Sequence, residues 1–146
     1  TVGGEVVNQV TLSGGGITPV TATETVTARD AAALAVNKSI TPAVVTDNSR
    51  VTYTLTLQNT GNTAVIATDD AVITDTFDPI LTALAVTFDG AAWTQEVQYN
   101  YDEATGLFTT VPGQILVPAA TYTQDPVTGA YSVIPGTVTL TVTGTI

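Results

Sequence analysis

The chain has 146 residues, of which 44% are apolar and only 11% charged, and it carries a formal net charge of −10. That length suits one domain, or one domain with an extension, and the acidic balance argues against a nucleic-acid or anionic-membrane surface. Histidine, cysteine and methionine are absent and lysine occurs once, which removes disulfides, thiolate metal sites and most catalytic side chains, so no enzyme, cofactor or metal is expected.

Threonine and valine dominate, a composition that favours strands almost throughout. Glycine or proline punctuates the chain every ten residues or so, and no window sustains a helical period. The class is all-β. No apolar run reaches the roughly eighteen residues that a membrane span needs. The absent initiator methionine is read as a processed N-terminus at Thr1, which points to export.

In chain order, residues 1–28 form a segment apart. EVVNQVTL alternates, with Val6, Asn8, Val10 and Leu12 on one face, and after Ser13-Gly14-Gly15-Gly16 the run VTATETVTA is a second, more polar strand. Residues 29–33 are a short connector, and the body runs over 34–146. Its first strand places Leu34, Val36, Lys38 and Ile40 on one face. The second places Val51, Tyr53, Leu55, Leu57 and Asn59 together, with Thr52, Thr54 and Thr56 opposite. Asn59-Thr60-Gly61-Asn62 is a turn. AVITDTF follows, with Ile73, Asp75 and Phe77 in phase, closed by Asp78-Pro79. ALAVTFDG then leads into AWTQEVQYNY, with Trp93, Val97 and Tyr99 as expected core. Two glycine-bearing hairpin connections, at 102–106 and 125–129, flank a short strand in QILVPAATY that Pro118 interrupts. TVTLTVTGTI ends the chain. Nine or ten short strands with regular turns read as a β-sandwich.

The series VNKSITP, VTYTLTLQNTGNTA and VITDTF resembles the DUF-eleven repeat of bacterial and archaeal surface proteins, which is itself related to the B-type domains of collagen adhesins and pilins. The resemblance covers most of the chain and implies an immunoglobulin-like sandwich at a cell surface, without enzymatic activity. In that pattern the closing strands follow the body. Here they stand in front of it, as GGEVVNQVTLSGG and TATETVTARD, so the chain looks like one tandem repeat cut at a permuted position.

Three polar side chains fall on apolar phases: Lys38, Asp75 and Asn8. Burying an unpaired charge costs several kcal/mol, so these groups should find one another. The resemblance to adhesin domains implies a spontaneous isopeptide bond from Lys38 to Asn8, with Asp75 relaying protons. Asn59, also in phase, is a competing partner, and Asp75 departs from the glutamate usual at the acid position. The plainer reading is a buried Lys38–Asp75 ion pair with Asn8 bonded to backbone, or a lysine that snorkels at a sandwich edge. Asp69-Asp70, Asp102-Glu103 and Asp47-Asn48 lack the ordered ligand spacing of a calcium loop and read as solvated turns. The threonine runs suit the solvent side of strands better than an ice-binding face, and Trp93, Tyr99 and Tyr101 serve as core or as a sugar platform.

These features lead to an expected function: a secreted structural subunit of a pilus-like extracellular filament, built by donor-strand complementation among identical subunits. The donor strand would carry Val6, Asn8, Val10 and Leu12. The connector, about five residues, spans at most about 17 Å, which favours donation to a neighbour over folding back. The rival expectation is a monomeric cell-surface adhesion or carbohydrate-binding module.

Overall fold

In a computed structural model, residues 4–146 are described; the expectation placed on Thr1 lies outside them. The chain is all-β, and the described residues form twelve strands and one short 3-10 turn at Ala67–Asp69. It divides into two compact units, Thr1–Ala31 and Ala32–Ile146.

The first unit is a hairpin. Strand β1 (Glu5–Gly14) pairs antiparallel with β2 (Ile17–Thr27), Val6 opposite Val26, Asn8 opposite Glu24, Val10 opposite Ala22 and Leu12 opposite Val20. Gly16 takes a φ of 80° in the connecting turn, a conformation that glycine adopts without steric cost. Since directly opposed residues share a face, the hairpin has one apolar side with the polar pair Asn8–Glu24 near its middle. The other side carries Thr21, Thr23, Thr25 and Thr27.

The second unit is a sandwich. A five-stranded sheet has the order β3 (Leu34–Thr41), β4 (Arg50–Asn59), β12 (Gly136–Thr145), β6 (Thr82–Phe88) and β7 (Ala91–Trp93). Facing it is a three-stranded sheet of β5 (Thr74–Thr76), β9 (Leu107–Thr110) and β8 (Tyr99–Asp102). A separate hairpin is formed by β10 (Thr121–Gln124) and β11 (Tyr131–Ile134). The alternation of β4 and β12 builds the core, because Val51, Leu55 and Leu57 lie in register with Gly144, Leu140 and Val138 on the inner face. Phe77, Tyr99, Tyr101 and Phe108 descend onto them from the three-stranded side. The Tyr53 and Phe77 rings meet across the layers at 4.9 Å between centroids. Each such side chain contributes roughly 1.5–3 kcal/mol by leaving water.

Three strand expectations are corrected. AWTQEVQYNY is two strands in different sheets, Ala91–Trp93 and Tyr99–Asp102. Between them the amides of Val97 and Gln98 donate to the Thr94 carbonyl and Glu96 turns at a φ of 68°, which carries the chain across the sandwich and leaves Val97 exposed. AVITDTF is strand only over Thr74–Thr76. In QILVPAATY, Val117 makes a lone bridge to Val65, and regular strand begins at Thr121.

The two sheets end unevenly. Strand β3 is the outer strand of the larger sheet and β5 that of the smaller one. The inner-phase residues Leu34 and Val36 are 53% and 65% exposed.

Candidate functional site

Along that uneven side runs a groove of about 480 Å³. One wall is Leu34, Val36 and Lys38 of β3, and the other is Ala71, Ile73 and Asp75. Leu55, Leu57 and Ile115 also line it. The positions advance together: Leu34 and Ala71 belong to one end, Lys38 and Asp75 to the other. The walls are apolar for most of their length and polar at that second end.

The polar end is an ion pair. Lys38 Nζ donates to Asp75 Oδ2 at 2.5 Å, and the ammonium lies 4.7 Å from the Tyr53 ring centroid and 5.3 Å from that of Phe77. Both rings present an electron-rich face to the cation. The register explains the meeting. Lys38 sits opposite Leu55 on the inner phase, next to the pair Ile40–Tyr53, while Asp75 precedes Phe77 by one strand repeat. The Lys38 side chain is still 40% exposed and that of Asp75 18%, so water screens the pair and it adds at most about 1 kcal/mol. Lys38 and Asp75, both out of pattern in the sequence, are thus brought together. Tyr53 and Phe77 complete the setting, and their signal was present as in-phase aromatics beside each charge.

Asn59 is placed elsewhere. It is fully buried, four strand residues from Leu55 and so about 13 Å along β4. Its Oδ1 accepts from the amides of Ala33 and Gly61, and its Nδ2 donates to the carbonyls of Thr63 and Pro118. Every hydrogen-bonding position of the amide is used. It ties the turn after β4 to the start of β3 and to the segment before β10. Asn8 lies on the exposed apolar side of the hairpin, beside Glu24, which the sequence reading passed over.

The remaining candidates settle into structure. Tyr99 and Tyr101 are buried, and Trp93 stacks on Phe88 at 4.9 Å against the core, so the three rings form no exposed platform. The Tyr101 hydroxyl accepts from the Leu81 amide at 2.9 Å and donates to the Leu81 carbonyl at 2.8 Å, and burial pushes its pKa up. Asp69, Asp102 and Asp125 each accept from amides of their own turns, which holds the Asp102 and Asp125 carboxyls below their ordinary range. Among the described residues no three carboxylates gather as a metal site would require. The outer face of the larger sheet is a threonine array in which the Thr52 and Thr143 hydroxyls bond at 3.0 Å. No helix among the described residues is long and apolar enough to cross a membrane. Comparison with family models, with curated proteins and with solved structures gave no match.

Proposed function

We propose that the protein is the structural subunit of an extracellular filament, assembled head to tail as each chain donates its N-terminal hairpin to the groove of the next. One observation carries this reading: the chain contains a one-sided hairpin without a core and a one-sided groove without a cover. Val6, Val10 and Leu12 are each more than 60% exposed on β1. A lone two-stranded hairpin is marginal in water, so these side chains need a partner surface. The groove has the matching sequence of surfaces, apolar along its length and polar where Lys38 meets Asp75. Donor and acceptor differ and sit on one chain, so their union propagates. The extracellular setting rests on the resemblance of VNKSITP and VTYTLTLQNTGNTA to surface repeats.

A covalent step fits the same reading. Within the docked pair the Lys38 ammonium passes a proton to the Asp75 carboxylate and becomes the nucleophilic amine. Lys38 Nζ then attacks Asn8 Cγ of the donor; the Nζ–Cγ bond forms and the Cγ–Nδ2 bond breaks. Asp75 moves the proton lost by the amine to the departing nitrogen, which leaves as ammonia.

Deletion of residues 1–13 tests the assembly. Filaments should disappear from electron micrographs, and a peptide of those residues added in trans should give a soluble capped monomer. Normal filaments from the truncated chain defeat the proposal. A full-length chain that stays monomeric at high concentration favours the rival, in which the hairpin folds back to form an adhesion module.

A further inference from the structure

We infer that the donated hairpin docks through β1, antiparallel to the free edge of β5 in the neighbouring copy, with Asn8 opposite Asp75, Val10 opposite Ile73 and Leu12 opposite Ala71. The inference rests on the filament reading and decides which of the two open edges, β3 or β5, receives the donor.

Hydrogen-bond parity makes the first cut. In a strand, alternate residues point their N–H and C=O groups to one neighbour and the rest to the other. On β1 the bond from the Ala28 amide to the Gly4 carbonyl shows that even-numbered residues bond β2. The free edge of β1 thus belongs to Val7, Gln9 and Thr11. On β5 the Thr110 amide donates to Ile73 and the Phe77 amide to Gly106, so odd residues bond β9 and Val72, Thr74 and Thr76 face the open edge. On β3 the Thr60 amide donates to Ala33, so odd residues bond β4 and Val36, Lys38 and Ile40 face the open edge.

In an antiparallel pair, residues that exchange bonds stand directly opposite and share a face. On β5, Gln9 then stands opposite Thr74 and Thr11 opposite Val72, all on the outer face. Asn8, Val10 and Leu12 fall on the inner face beside Asp75, Ile73 and Ala71. On β3 the same pairing sets Gln9 and Thr11 on the inner face and turns Val6, Val10 and Leu12 out to water. Antiparallel addition to β3 fails on that ground.

Parallel addition reverses the parity, because a bonded residue then stands opposite one that points away. It is permitted on β3 and forbidden on β5. Coverage excludes it. A strand beside β3 widens the larger sheet while Leu34 and Val36 stay uncovered, and with Asn8 at Lys38 it carries Leu12 past Thr41, where β3 ends. A strand beside β5 instead lies across the sandwich from β3, at the roughly 10 Å spacing of packed sheets, and covers Leu34 and Val36. It fills the groove from its polar end, Asn8 at the Lys38–Asp75 pair and Val10 and Leu12 along the apolar length. Strand β2 follows as the outermost strand, and the three-stranded sheet becomes five-stranded, equal to its partner. The new edge carries Pro19, which has no N–H to offer, and Glu24, features that discourage further addition.

Amide hydrogen exchange on full-length filaments tests the edge. Thr74 and Thr76 on the acceptor, with Val7, Gln9 and Thr11 on the donor, should be protected, while Val36, Lys38 and Ile40 exchange. A paired test uses proline. Thr74→Pro removes an N–H that β9 does not use, so it should leave a folded monomer that makes no filaments, whereas Ile40→Pro, on the open edge of β3 but outside the groove lining, should polymerise. Protection of Val36, Lys38 and Ile40 alone, or filaments from Thr74→Pro, overturns the inference while the filament reading stands. Protection on both edges also overturns it, because each hairpin strand would then hold a different sheet. Filaments with neither edge protected would sink donation through the groove itself.

Discussion

Strands β1 and β12 are ten residues each, and both alternate apolar with polar side chains, yet one is exposed at every position and the other is buried at every second one. Val142 and Leu140 reach zero exposure, and Val10, in the same kind of pattern, keeps 64%. The difference lies in what faces each strand. Strand β12 sits between β4 and β6 with the aromatic rings of the smaller sheet over it, while β1 belongs to a two-stranded sheet with β2. A two-residue period therefore states that one face is meant to be covered, without stating by what. In β12 the cover is the chain itself, and in β1 the proposed cover is the next subunit.

Mutations separate the two strands most strongly. Leu140→Ala should cost the body about 2–5 kcal/mol, read as a lower urea midpoint, because it leaves a cavity in a packed core. Val10→Ala should leave the urea midpoint of unassembled protein unchanged within about 0.5 kcal/mol and reduce filament yield instead. Equal losses of body stability from both would mean that β1 is already covered within its own chain.

Asn59 gives the next largest effect. Asn59→Ala strands the amides of Ala33 and Gly61 and the carbonyls of Thr63 and Pro118, and should cost at least about 3 kcal/mol. If Asn59 were instead the partner of Lys38, the unassembled wild-type chain would be lighter by one ammonia, which intact mass reads directly.

Tyr101 sharpens the contrast through pH. Burial raises its folded-state pKa above the ordinary tyrosine value of about 10, so the stability it adds is complete below pH about 10 and drains as pH climbs through the folded value. Tyr101→Phe should cost about 1–2 kcal/mol at neutral pH, through the lost bonds to Leu81, and should flatten part of the alkaline decline. Burial raises Tyr99 in the same direction, so some decline should persist in the variant.

Much of this molecule was legible in the sequence because its strands are one-sided. The alternation in VTYTLTLQN and TVTLTVTGT specifies both elements and their inner faces, and Lys38 and Asp75 stood out as charges in apolar phase. What failed depended on sheet order. AWTQEVQYNY reads as one strand because nothing local marks Glu96 as the point where the chain changes sheets. Asn59 in apolar phase was an alternative partner for Lys38, and its bonds to Ala33 and Pro118 depend on segments that no local pattern brings together. The displaced closing strands implied an open edge with a groove to fill, but the place of that groove was hidden for the same reason. It arises from a five-stranded sheet facing a three-stranded one, which no single segment encodes.

The smallest expected effect on the isolated body is the most telling for the proposal. Lys38→Met keeps an unbranched apolar stem and removes the ammonium. On the unassembled protein it breaks a pair that is 40% exposed on the lysine side, so it should shift stability by no more than about 1 kcal/mol. It also leaves Asp75 without its cation at the end of the groove. Once a donor covers that end, the carboxylate must be buried unpaired or take up a proton, a cost of several kcal/mol charged to assembly alone. Filament yield should therefore fall far more than body stability does. No variant lacking Lys38 should form boiling-resistant ladders, because the amine that would make the bond is gone. If Lys38→Met lowers the urea midpoint of the unassembled chain as much as it lowers filament yield, the pair serves the body rather than the junction. Wild-type filaments that dissolve to unmodified monomers in hot detergent would remove the covalent step and leave donation standing.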